Sequence, residues 1–71
     1  MNKILKHWQI VRVKMKTERV RVVLGSVRES EKGAAAIASR FDRSVGNALV
    51  FHDYCPAGTY RNGQLYQGNQ R

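Results

Sequence analysis

Apolar and polar residues alternate along two early stretches of the chain, and that two-residue period predicts a β-hairpin. In the first stretch, from about Trp8 to Met15, Val11, Val13 and Met15 alternate with Arg12, Lys14 and Lys16. In the second, Arg19 to Leu24, the apolar Val20, Val22 and Leu24 are interleaved with Arg19 and Arg21. The valine-rich composition favours strand over helix. With Thr17–Glu18 as the turn, Lys16 faces Arg19, Met15 faces Val20, Lys14 faces Arg21 and Val13 faces Val22. One face then carries Val11, Val13, Met15, Val20, Val22 and Leu24, and the other carries Arg12, Lys14, Lys16, Arg19 and Arg21. A one-residue slip would mix the two sets. Thr-Glu is not a favoured two-residue turn, so a four-residue loop in the same register is the alternative closure.

The period then changes. Ser26-Val27-Arg28-Glu29 has the spacing of a capping box, and Ser30 is a second candidate N-cap. Ala34, Ile37, Ala38 and Phe41 form one apolar stripe, which predicts a helix over 33–41 ending before Gly46–Asn47. Its alanines let it lie close to a sheet. A third strand is predicted from Ala48 to Cys55, with Leu49 and Phe51 toward the helix and Val50, His52 and Tyr54 on the other side. Pro56 and Gly58 end it. Asn62–Gly63 predicts a last hairpin between Thr59-Tyr60-Arg61 and Gln64-Leu65-Tyr66, with Tyr60 and Tyr66 nearly opposite.

The expected fold is therefore α+β: ββαβ plus a C-terminal β-hairpin, a mostly antiparallel sheet with one helix packed on one face and the other face open. Residues 1–71 form one small domain, with loose termini at 1–7 and 67–71. A core this small supplies only about 3–5 kcal/mol. The single cysteine, Cys55, excludes an intrachain disulfide and points to a reducing compartment. A homodimer or a bound partner is the remaining source of added stability. No stretch approaches the roughly 20 apolar residues of a membrane span. Lys6, His7 and Arg12 interrupt what would otherwise resemble a signal peptide. The expected location is cytoplasmic, with no membrane association.

Charge sharpens the picture. The net charge is +8, and it is placed unevenly. Residues 1–28 hold eight Lys/Arg and one acidic residue, whereas residues 29–71 hold five and four. Such asymmetry points to a polyanionic partner.

The candidate binding surface is the open face, with Arg12, Lys14, Lys16, Arg19 and Arg21, then His52 and Tyr54 on a neighbouring strand, and Trp8 at one end. Cations among aromatic rings suit DNA or RNA, because the cations neutralise phosphates and the rings stack on bases. The expected function is that of a small, non-enzymatic nucleic-acid-binding protein. The alternative is docking on an acidic protein surface, through this face or by strand addition at an open edge. In architecture alone, the size and layout resemble small phage and mobile-element proteins that inhibit host complexes. A charged sheet face can also serve only solubility and protection from aggregation, although five like charges repel one another.

Other chemistry is less well provided for. His52 and Cys55 are three apart, so they point to opposite faces of a strand. Only His7 could join them, too few ligands for zinc, and no metal or cofactor is expected. A small ribonuclease using His52 as acid/base and Arg61 to stabilise phosphate charge lacks an orienting group, since Asp53 points away from His52. No catalytic residue is therefore assigned, and no glycine-rich phosphate loop is present.

Overall fold

The computed structural model describes residues 4–68. It contains β1 (Lys6–Lys14), β2 (Val20–Glu29), α1 (Glu31–Val45) and β3 (Val50–Pro56). The three strands form one antiparallel sheet in the order β2-β1-β3, and the helix packs against it, as the α+β reading expects. Both outer strands run antiparallel to β1, so they point the same way, and α1 carries the chain across β1 between them. Of the termini expected to be loose, residues 1–3 and 69–71 lie outside the described residues, while Lys6 and His7 already belong to β1.

The hairpin keeps its two faces but slides by two residues. Val13 pairs with Val20, Arg12 with Arg21 and Val11 with Val22. A shift of two preserves the alternation, so the hydrophobic pattern alone cannot choose between the registers. The loop decides: Met15–Glu18 forms a four-residue connection in which the Glu18 amide donates to the Lys14 carbonyl. Glu18 adopts a left-handed conformation, φ 58°, which an L-residue seldom takes up outside such turns.

Further along the hairpin the ladder is interrupted twice. Ile10 pairs with Leu24 and Trp8 with Val27, so β2 holds extra residues at Val23 and around Gly25–Ser26. Each bulge reverses the side-chain parity that follows it. Leu24 therefore stands opposite Ile10, not beside Val20 and Val22.

The helix runs past its apolar stripe at both ends, covering Glu31–Val45 where the stripe predicts 33–41. Ser30 is the N-cap, and its hydroxyl accepts from the Gly33 amide at 3.1 Å. The Ser26–Glu29 capping box does not form, because those residues continue β2. Gly46 closes the helix at φ 61°, donating to the Asp42 carbonyl, a left-handed C-terminal position that glycine takes without strain.

The helix lies on the face opposite to the one expected. It rests mainly on β3 and β1 and only lightly on β2, covering Trp8, Ile10, His52 and Tyr54. The reason lies in β1 itself, whose even positions are apolar at one end (Trp8, Ile10) and basic at the other (Arg12, Lys14). The buried alanines Ala34 and Ala38 let the helix settle over the apolar half. Phe51 faces away from it and packs edge-on against Tyr66, and Leu49 is exposed.

The valine face is not open either. Val11, Val13, Val20 and Cys55 form a core with Tyr60, flanked by Val22, Phe51 and Tyr66. The segment after β3 folds back across this face. The turn at Asn62–Gly63 exists, but Gly63 is the residue with positive φ, 89°, and Asn62 is not. That geometry matches a type II turn, which splays its arms where a type I′ turn would pair them. One arm therefore bridges to Arg19, just before β2, through Leu65, while the Val20 amide donates to the Gln64 carbonyl and the Gly63 amide to the Val20 carbonyl. Tyr60 and Tyr66 still stack, with ring centres 5.8 Å apart.

Candidate functional site

The division of β1 into an apolar and a basic half creates the site. The helix covers the first half and stops short of the second. At the hairpin end, on the same side of the sheet as the helix, Arg12, Lys14, Arg19 and Arg21 line a cleft of 490 Å³ together with Thr17 and Val20. The ladder sets their arrangement. Arg12 is paired with Arg21, and one step on, Lys14 stands across from Arg19, whose carbonyl accepts from the Lys14 amide. Like charges placed directly opposite are destabilising on a sheet. Among the described residues no Asp or Glu forms an ion pair with any of these four or with Lys16. Lys14, Arg19 and Arg21 are exposed, and Arg12 is half-buried. Lys16 is exposed in the loop at the tip and does not line the cleft.

Two of the four cations have internal partners that fix them without neutralising them. Arg19 donates through Nη1 to the Gly63 carbonyl at 2.9 Å, which ties the cleft to the C-terminal turn. Arg12 donates through Nε to His52 Nε2 at 3.1 Å. His52 Nδ1 stands 2.8 Å from Asp42 Oδ1, and the same oxygen accepts the His52 amide at 2.7 Å. Since Nε2 accepts from Arg12, the ring proton lies on Nδ1, bonded to Asp42. Phe41 stacks on the imidazole with centroids 5.5 Å apart.

Of the expected ring contributors, Trp8 and His52 are buried and Tyr54 is half-buried. Trp8 is buried, with its indole N–H donated to the Glu29 carbonyl at 2.9 Å. Tyr54 packs edge-on against Trp8 and bonds Glu31 through its hydroxyl. The His52 side chain is 0% exposed. These three share a sheet face with the cations, as strand parity predicts, but the helix covers them. His52 and Arg61 are separated as well, since Arg61 belongs to the segment crossing the opposite face. His52 has the orienting carboxylate that the sequence reading could not find, Asp42, but its other nitrogen is occupied by Arg12.

Asp42 carries no local signal in the sequence. It stands four residues after the buried Ala38, on the flank of α1 that faces the sheet, ten residues before His52, and the docking of the helix brings the two together. Arg40 was likewise unmarked; it borders a second, shallower trough lined by Leu24, Ile37, Phe41 and Ser44.

Strand addition is expected at an open edge, and at the outer edge of β3 two donors are already taken. Asp42 takes the His52 amide and Asp53 takes the Tyr54 amide. On the other edge, Asn62 Oδ1 accepts the Val22 amide and the Gln64 carbonyl accepts that of Val20. Side chains and a return segment are common ways of blunting sheet edges.

Among the described residues no helix is long and apolar enough to cross a membrane. Comparison of the chain with protein-family models, with curated proteins and with solved structures finds no match.

Proposed function

We propose that this chain is a small, non-enzymatic nucleic-acid-binding protein that grips the phosphodiester backbone at the hairpin end of its sheet. The observation that supports it most is the cleft itself: four cations in two cross-strand rungs, with no carboxylate among the described residues paired to them. Such rungs repel one another until an anion enters. Two residues of strand span about 7 Å, a spacing that lets neighbouring phosphates of one chain each meet a rung. Because Trp8 and His52 are buried and the half-buried Tyr54 packs on Trp8, base stacking is not part of this reading. Contacts to phosphate fix position without reading sequence, so binding is expected to depend little on base identity.

Fluorescence anisotropy across a salt series tests this. Four phosphate contacts on a duplex give a slope of log K against log salt of about −3 to −4. Replacing Arg12, Lys14, Arg19 and Arg21 together by Glu should abolish binding. Trp8 fluorescence should not be quenched by single-stranded DNA. A flat salt profile, or full binding by the charge-reversed protein, defeats the proposal.

A second reading, docking on an acidic protein, is favoured by the Leu24–Ile37–Phe41 trough beside Arg40. An apolar side chain flanked by acidic residues would fit there. Capture from nuclease-treated lysate that is lost on Phe41→Glu would favour it, and capture indifferent to that change would count against it.

A further inference from the structure

We propose that His52, clamped by Asp42, is a positioning residue that fixes the Arg12 guanidinium as the most constrained phosphate ligand of the cleft; this rests on the nucleic-acid reading above. A guanidinium has one N–H at Nε and four on its two Nη atoms. In Arg12 the Nε proton is committed to His52. The Nη groups have no acceptor among the described residues, and Arg12 lines the cleft. Its inner end is therefore held while its fork remains available for an oxyanion, the bidentate geometry arginine offers best.

The choice of an imidazole as the holding group is informative. A carboxylate at the same place would pair with Arg12 and cancel the charge that phosphate needs. A neutral ring accepts the hydrogen bond and leaves the cation intact. The ring in turn needs its acceptor nitrogen turned toward β1, and three contacts fix it there: Asp42 on Nδ1, the same Asp42 oxygen on the backbone amide, and Phe41 stacked on its plane. The side chain is wholly buried, so His52 acts on a ligand only through Arg12. Among the described residues Lys14 and Arg21 have no comparable side-chain support, so their ordering falls to ligand binding.

The test is a double-mutant cycle on binding to a short fluorescein-labelled DNA duplex at low salt, with the fold of each variant checked by circular dichroism. Arg12→Ala and His52→Leu should each weaken binding about fivefold or more, the scale of ordering one long side chain. The double variant should be no weaker than Arg12→Ala alone, because His52 has nothing left to position. His52→Gln should recover most of the loss, since a Gln amide oxygen can reach the place of Nε2 and accept from Arg12. A folded His52→Leu protein that binds like wild type, or losses that multiply in the double variant, overturns the proposal. If His52→Leu does not fold, the wild type decides by NMR: the Arg12 Nε–H should exchange with solvent more slowly than that of Arg21, and equal exchange overturns the proposal. Absence of duplex binding by wild type overturns the nucleic-acid reading and this one together. Binding that depends on Arg12 but not on His52 overturns this one alone.

Discussion

Gln9 lies among valines and is almost fully buried, where its carboxamide substitutes for a peptide group. Its oxygen accepts from the Tyr60 amide at 2.7 Å and from the Cys55 thiol, and its nitrogen donates to the Tyr60 carbonyl. One side chain thus satisfies both backbone groups of a residue that belongs to no strand, and it anchors the C-terminal segment to β1. Leaving a buried donor without a partner costs about 1–3 kcal/mol. Gln9→Leu, which keeps the volume and removes the bonds, should therefore lower stability by about 2 kcal/mol and the melting temperature by about 10 °C. Thermal denaturation followed by circular dichroism measures it, and an unchanged melt would show that the anchor is dispensable. Residue identity was legible in the sequence, but this role was not: nothing about a glutamine in a strand shows whether it faces water or a buried peptide group. The same holds for Trp8 and His52, which parity places on the correct face without revealing what covers it.

At the scale of elements, β1 governs the arrangement. Its odd positions are buried from Gln9 through Val11 and Val13, while its even positions change from apolar to basic at Arg12, and that change decides how far the helix can cover the sheet. The bulges in β2 then bring Leu24 to the helix side, extending the apolar half. These are features of a particular pairing, so a reading built on uninterrupted alternation places Leu24 on the wrong face. The helix, by contrast, was legible from local chemistry, with its stripe, its Ser30 cap and its Gly46 stop all near one another in the chain. Ser30→Ala removes the acceptor for the Gly33 amide and should cost about 1 kcal/mol. Because α1 carries Asp42 and Phe41, an excess loss of duplex affinity in a folded Ser30→Ala protein would show that the cleft responds to helix docking. Chemical denaturation gives the first quantity and anisotropy the second.

For the whole molecule, the three-stranded sheet is covered on both sides, by the helix on one and by the C-terminal segment on the other. That segment supplies Tyr60 and Tyr66 to the core, occupies the outer edge of β2 and holds Arg19 through the Gly63 carbonyl. Deleting residues 59–71 would expose Val11, Val13 and Val20 together. Small domains have little stability to spare, so the shortened chain should lose its cooperative thermal transition. A cooperative melt in the truncated protein would show that helix and sheet suffice. The basic cleft, meanwhile, stays open at the hairpin end, touched by the C-terminal segment at Arg19.

The chain alone determined whatever depends on neighbours in sequence: alternation gives the hairpin, the i, i+3, i+4 stripe gives the helix, Gly46 gives its C-terminal stop and Ser26 and Ser30 the two candidate caps, and the crowding of eight basic residues into 1–28 gives the charged end of the molecule. Only the tertiary structure decided which sheet face the helix takes, how the C-terminal turn pairs, and that Arg12, His52 and Asp42 meet. The physical reason is that both faces of this sheet carry apolar residues and both can be buried. The choice between them is made by the competition of two covering segments for the same strands, through contacts that range from 10 positions apart (Asp42–His52) to 51 (Gln9–Tyr60).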